Sequence, residues 1–141
     1  MEAEFADQWE SLARDEMAAA SAVLSSRLWK QAHQHAGVAV ECALKRYIMK
    51  KEGLNRWPER RDRRELYTHN LEDLLEIAAL EDEFNDDVSS ENPSEHARAW
   101  LIIKDWDINM RYHVPSAFPQ AVAESAVEAI VGMGLVEWLL K

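Results

Sequence analysis

The feature that most limits what this chain can become is the spacing of its apolar residues. Phe5, Trp9, Leu12, Ala13, Met17, Ala20 and Leu24 recur every three or four positions, the period of one face of a helix. Only four Gly and four Pro interrupt 141 residues, so long helices have room to form. The pattern predicts a first helix from about Ala3 to Ser25. After the break at "SSRLW", a second runs from about Trp29 to Lys51 and carries Ala32, Ala36, Val40, Ala43, Leu44, Tyr47 and Ile48. Gly53 and Asn55 end it, and Lys50 and Lys51 lie where the helix dipole favours cations.

The stretch "RWPERRDRRELYTHN", Arg56 to Asn70, contains Pro58 and no sustained period. It predicts a loop with at most a helical turn. Asn70 is an N-cap, opening a third helix with Leu71, Leu74, Leu75 and Ala78 inward. The acidic segment from Glu81 to Glu91 reads as a second loop. In "NPSE", Asn92 caps a fourth helix, Pro93 takes its first position and Glu95 closes a capping box. That helix should bury Trp100, Leu101, Ile103 and Trp106. "RYHVPSAFP" is irregular, and Pro119 opens a final helix with Val122, Ala126, Ile130, Met133, Val136 and Leu140 inward. The expectation is one all-α domain over 1–141: an up-and-down bundle of about five helices built on two long N-terminal ones. No strand has a claim.

Charge narrows the functional classes. With 26 Asp and Glu against 16 Lys and Arg, the chain carries −10, which argues against a surface that binds nucleic acid all over. The charge is segregated, however. Lys45 to Arg64 holds nine Lys and Arg against three acids, while Glu72 to Glu95 holds ten acids and no Lys or Arg. The plain reading is two solvated faces; the sharper one is a basic end that meets RNA, a nucleotide or an acidic partner. Within the basic loop, Arg60, Arg61, Arg63 and Arg64 are the candidate binding residues.

Other chemistries find little footing. A single cysteine, Cys42, excludes an internal disulfide and a Cys-based zinc site; mid-helix, it reads as a small hydrophobe. His33 and His35 are two apart, on nearly opposite sides of a helix, so no metal ligand pair and no cofactor is expected. There is no Gly-rich phosphate loop and no nucleophile elbow. Trp9, Trp100, Trp106 and Trp138 lie on or near apolar stripes and read as core or interface anchors. No apolar run approaches the roughly 20 residues that span a bilayer. The acidic "MEAEFADQWE" has no signal-peptide pattern, so a cytoplasmic location is expected.

Glu41 stands out because it lies inside "AGVAVECALKRYI", where a lone buried carboxylate would be costly. Two readings remain. Lys45 at i+4 makes an ordinary surface pair, or the acid is buried and held for a distant partner, for which Arg111 is the choice.

In sequence order these segments resemble the HEPN family, the higher-eukaryote and prokaryote nucleotide-binding domain. "LARDEMAAASAVLSSRLWKQAHQHAGVAVECALKRYI" is similar to its first two helices, with an A-x-E-x-x-x-K pattern at Ala39, Glu41 and Lys45. "THNLEDLL" supplies H-x-L-x-x-L at His69, Leu71 and Leu74, and "WDINMRYHV" supplies a Trp followed by Arg-Tyr at Trp106, Arg111 and Tyr112. The resemblance runs from about Leu12 to Leu140. It implies a small helical bundle that forms a homodimer and that often works beside a minimal nucleotidyltransferase in a toxin–antitoxin-like pair. Its active nucleases cleave RNA without metal, using Arg to stabilise phosphate charge and His as general acid or base in an R-x4-6-H motif.

Here the motif is altered. Arg111 holds the arginine place, but Ser116, Ala117 and Phe118 occupy the three positions where histidine would fall; the nearest histidine is His113. Arg64 and His69 satisfy R-x4-H in the wrong part of the fold, and five arginines between Arg56 and Arg64 make such a spacing almost inevitable. The resulting expectation is a domain that acts by binding a nucleotidyltransferase, a nucleotide or RNA, with Glu41, Lys45, Arg111 and Tyr112 as its polar centre. The alternative is a metal-independent ribonuclease that uses Arg111 with His113.

Overall fold

A computed structural model describes every residue from Met1 to Lys141, and all its regular structure is helical. Helices α1 (Ala6–Ser25) and α2 (Trp29–Glu52) form the long hairpin that the apolar spacing predicts. They run antiparallel: Glu10 pairs with Arg46 at 3.2 Å, and Glu16 with His35 at 2.5 Å. The first helix starts three residues later than expected, because the Gln8 Oε1 accepts the N–H groups of both Glu4 and Phe5 and holds that segment outside the helix. Gly53, at φ 66°, ends α2 in the left-handed conformation that glycine adopts without strain.

The middle of α2 is the axis of the core. Ala32, Ala36, Ala39, Val40, Ala43, Leu44 and Ile48 are fully buried, and the small side chains of the alanines let neighbours approach closely. At Gly37 that approach is extreme. A Cβ there would stand 2.0 Å from two atoms of the Trp106 indole, so the absence of a side chain makes the seat for the ring.

Beyond α2 the chain gives a 3-10 turn at Arg64–Leu66, then α3 (Leu71–Ile77), whose Asn70 cap accepts the Asp73 N–H at 2.9 Å as predicted. Two expectations then fail. The acidic segment is not a loop: Glu81–Val88 is a helix, α4, anchored by fully buried Phe84 and with Glu81, Asp82 and Glu83 in the first turn, where the dipole favours anions. Helix α5 (Glu95–Ile103) is capped by Ser94, not Asn92; the Ser94 Oγ accepts the Ala97 N–H at 3.2 Å.

Trp106 is buried as expected, although it lies past the end of α5, whereas Leu101 is largely exposed. The irregular segment is two 3-10 turns, Ile108–Tyr112 and Pro115–Ala117. The final helix is two pieces, α6 (Gln120–Ile130) and α7 (Leu135–Leu139), parted where Gly134 takes φ 75°. Ala126, Ile130, Val136 and Leu140 are buried, but Val122 faces solvent. Seven α-helical segments therefore replace the expected five. No helix is long and apolar enough to cross a membrane.

Candidate functional site

Glu41 and Lys45 are one turn apart on α2, and both are buried, at 5% and 6% exposure. The surface-pair reading is therefore wrong, and so is the choice of Arg111 as distant partner. Lys45 Nζ donates to Glu41 Oε2 at 2.9 Å, and His69 Nδ1 lies 3.0 Å from both carboxylate oxygens. The buried acid is thus satisfied by its own helix and by the residue just before the α3 cap. His69 remains more than half exposed, and its Nε2 meets no partner in the chain.

Aromatic rings close around this triad. Lys45 Nζ sits 5.1 Å from the Trp9 ring and 5.7 Å from that of Trp57, a cation–π contact on two indoles. Trp57 meets Trp9 edge-on at 5.2 Å and Tyr67 at 6.4 Å. Together with Glu41, Lys45 and His69, these three rings line a cleft of about 790 Å³, the size of a small-molecule site. On its other side His69 also lines a recess of about 310 Å³, shared with Tyr67, Trp106 and Asn109.

The basic loop forms the cleft wall because its backbone is pinned at several points. The Trp57 N–H donates to the Glu4 carbonyl at 2.6 Å, and the Tyr67 hydroxyl to the Pro58 carbonyl at 2.5 Å. Arg63 pairs with Glu52 at 3.1 Å and also with Glu65, while Leu66 is fully buried. Its arginines are only partly free. Arg56 pairs with Glu4 at 2.5 Å and Arg61 with Glu59 at 2.9 Å. Arg60 lies 6.0 Å over the Tyr67 ring and makes no ion pair, and Arg64 makes none either. Arg64 and His69 do not meet, so their R-x4-H spacing has no structural counterpart.

Arg111, Tyr112 and His113 are elsewhere. Arg111 and Tyr112 lie on the 3-10 turn Ile108–Tyr112, and all three are exposed. The Arg111 guanidinium stacks 4.8 Å over Tyr112, and its carbonyl accepts from Lys30 Nζ. The His113 ring lies 6.3 Å from that of buried Phe118, which also packs against His33 at 5.3 Å. Of the four residues expected together, Glu41 and Lys45 converge with His69 beside them, while Arg111 and Tyr112 lie on a separate turn.

Other titratable groups have structural explanations. Burial pushes the Cys42 thiol up to about 12, with Glu41 adding to it, so the thiol is inert. Burial lowers the pKa of His33 and holds its ring neutral. Asp87, Ser94 and His96 look like a hydrolase set, yet Ser94 donates to Asp87 at 2.7 Å, and both approach the same His96 nitrogen, Nε2. No proton relay runs through that arrangement; it holds the start of α5. No group of three or more His, Cys, Asp or Glu is gathered to hold a metal ion.

Sequence reasoning missed His69 as the partner of Glu41, and Trp57 and Tyr67 as walls. A buried carboxylate demanded a donor, and two aromatics stood in an otherwise charged loop; those were the available signals. Comparison with family models, curated proteins and solved structures finds no match.

Proposed function

We propose that this chain is a HEPN-like helical domain that acts by binding, and that the His69 cleft takes a nucleotide or a short stretch of RNA. The protein partners of this reading are a second copy of the chain and a minimal nucleotidyltransferase, in a toxin–antitoxin-like or defence setting. The observation that carries it is the buried Glu41, engaged by Lys45 and His69 at the base of a cleft walled by Trp9, Trp57 and Tyr67. Flat rings suit the face of a base, because stacking is favourable for every base. No Ser, Thr or Cys lines the cleft, so it offers no side-chain nucleophile of those types. The resemblance in "AVECALK" and "THNLEDLL" falls on the residues that build this site. A panel of nucleotides and short RNA oligomers tests it: a ligand of the cleft raises the melting temperature, and Trp57→Ala removes the increase. If nothing in the panel shifts the melting temperature and a pull-down recovers no nucleotidyltransferase, the reading falls.

The second reading, a metal-independent endoribonuclease, keeps Arg111 and His113. In its favour both side chains are exposed, two positions apart, and Arg111 has no carboxylate partner. It expects EDTA-resistant RNA cleavage that Arg111→Ala and His113→Ala each abolish. Cleavage untouched by both substitutions removes it.

A further inference from the structure

The pairing pattern of the cleft bears on which end of a ligand goes inward. Every Lys and Arg that lines it already holds a carboxylate: Lys45 with Glu41, Arg56 with Glu4, Arg61 with Glu59. Glu2 and Asp62 line it too, without a cation of their own. A phosphate drawn inside would have to displace one of these carboxylates and face the others at close range. The two arginines of the loop that lack a carboxylate, Arg60 and Arg64, are exposed and do not line the cleft. Arg60 nonetheless lies over the ring of Tyr67, which is one of its walls.

His69 adds a direction. Nδ1 lies 3.0 Å from both Glu41 oxygens, which can only accept, so the tautomer that makes this bond has its hydrogen at Nδ1 and its lone pair at Nε2. With no partner in the chain, that nitrogen is free to accept from a ligand N–H.

We propose that the cleft takes the base of an adenine-type nucleotide, stacked on Trp57 and Tyr67 with its amino edge at His69 Nε2. The phosphate stays outside at Arg60 and Arg64. This rests on the nucleotide reading above and gives the ligand a polarity, base inward and charge outward.

Calorimetric titration of the whole chain at about 0.15 M salt with adenosine, AMP and N6,N6-dimethyladenosine tests it. Adenosine binds without a phosphate, and AMP binds at most about tenfold tighter, the worth of one or two exposed ionic contacts. The double substitution Arg60→Ala and Arg64→Ala, at exposed positions, removes the advantage of AMP over adenosine when both are titrated into the same variant. The dimethylated nucleoside, with no amino hydrogen, binds about tenfold weaker, the loss of one hydrogen bond, and His69→Phe, which has no acceptor, erases that difference. AMP binding without adenosine binding, or an AMP advantage that survives the double substitution and disappears in Arg61→Ala, puts the phosphate inside and overturns the proposal. That result leaves the nucleotide reading standing. No binding by any of the three also overturns the proposal, and the broader nucleotide reading is then decided by the panel of nucleotides and RNA oligomers.

Discussion

Replacing Glu41 by leucine should destabilise the fold more than replacing Lys45 by methionine, although the two residues share one ion pair. Without Glu41, an ammonium that is 6% exposed loses its only carboxylate, and breaking a buried pair from one side costs about 3–5 kcal/mol. The Trp9 and Trp57 rings still face the charge, and a desolvated cation–π contact is worth about 2 kcal/mol, so the lower end, about 3 kcal/mol, applies. Without Lys45, the Glu41 carboxylate keeps His69 against both oxygens. The loss is then one hydrogen bond to a charged group, about 1.5–3 kcal/mol, and the lower half of that range applies because both oxygens keep a donor. Removing both charges together should restore much of the Glu41→Leu loss, since apolar replacement of a whole buried pair is often neutral. Urea denaturation of the four proteins gives the cycle directly, and in thermal melts about 3 kcal/mol corresponds to a fall of roughly 10 °C. Equal losses in the two single variants, or a double variant as unstable as their sum, would refute the reasoning. Either result would mean that the triad is not the closed unit its distances describe.

Gly37→Ala, a change that raises intrinsic helix propensity by about 1 kcal/mol, should here destabilise by about 1–3 kcal/mol, because the new methyl meets the Trp106 ring. A melting temperature at or above the parent's contradicts that placement of the indole. Burial lowers the pKa of both His33 and His96, the latter against opposition from Asp87. The unfolded chain therefore binds their protons first: stability is full above about pH 6.5 and declines as the pH falls below it. Chemical denaturation between pH 7.5 and about 5 should show that slope, and Phe at both positions should flatten it. Cys42, buried and pushed up to about 12, should resist a thiol reagent at neutral pH in the native protein and react on addition of denaturant. Reaction at the rate of a free thiol without denaturant would show that α2 opens readily.

What the sequence conveyed and what it withheld follow the range of the interactions involved. The α1–α2 hairpin and the Asn70 cap depend on apolar spacing and on one side chain reaching its own backbone, both local and legible. Helix α4 was hidden because "EDEFNDDV" is mostly charge. It forms around a single deeply buried ring, Phe84, which lies 5.9 Å from Trp100 and 5.2 Å from Trp138, contacts that no local pattern announces. The break before α7 was marked by Gly132 and Gly134, yet the helical period continues across it, and the period dominated the reading. Glu41 shows the same limit inside the site. Its need for a partner was legible from the apolar stretch around it; the identity of that partner was set by the return of the chain 28 residues later.

That return also explains how a loop so rich in charge can serve as a wall. A ligand that must order its own binding site loses affinity to the ordering. Here the ordering is already done by ties within the chain. The loop backbone is tied to the segment before α1 through Glu4, to the end of α2 through Glu52, to the core through Leu66, and to the middle of α2 through His69. Those ties use up Arg56 and Arg63, together with the Nδ1 side of His69. They leave the rings of Trp57 and Tyr67, the cations of Arg60 and Arg64, and one imidazole nitrogen facing outward from a fixed frame. Arginines that looked like one basic patch in the sequence thus divide: some are paired in holding the loop, and Arg60 and Arg64 stay exposed without a carboxylate.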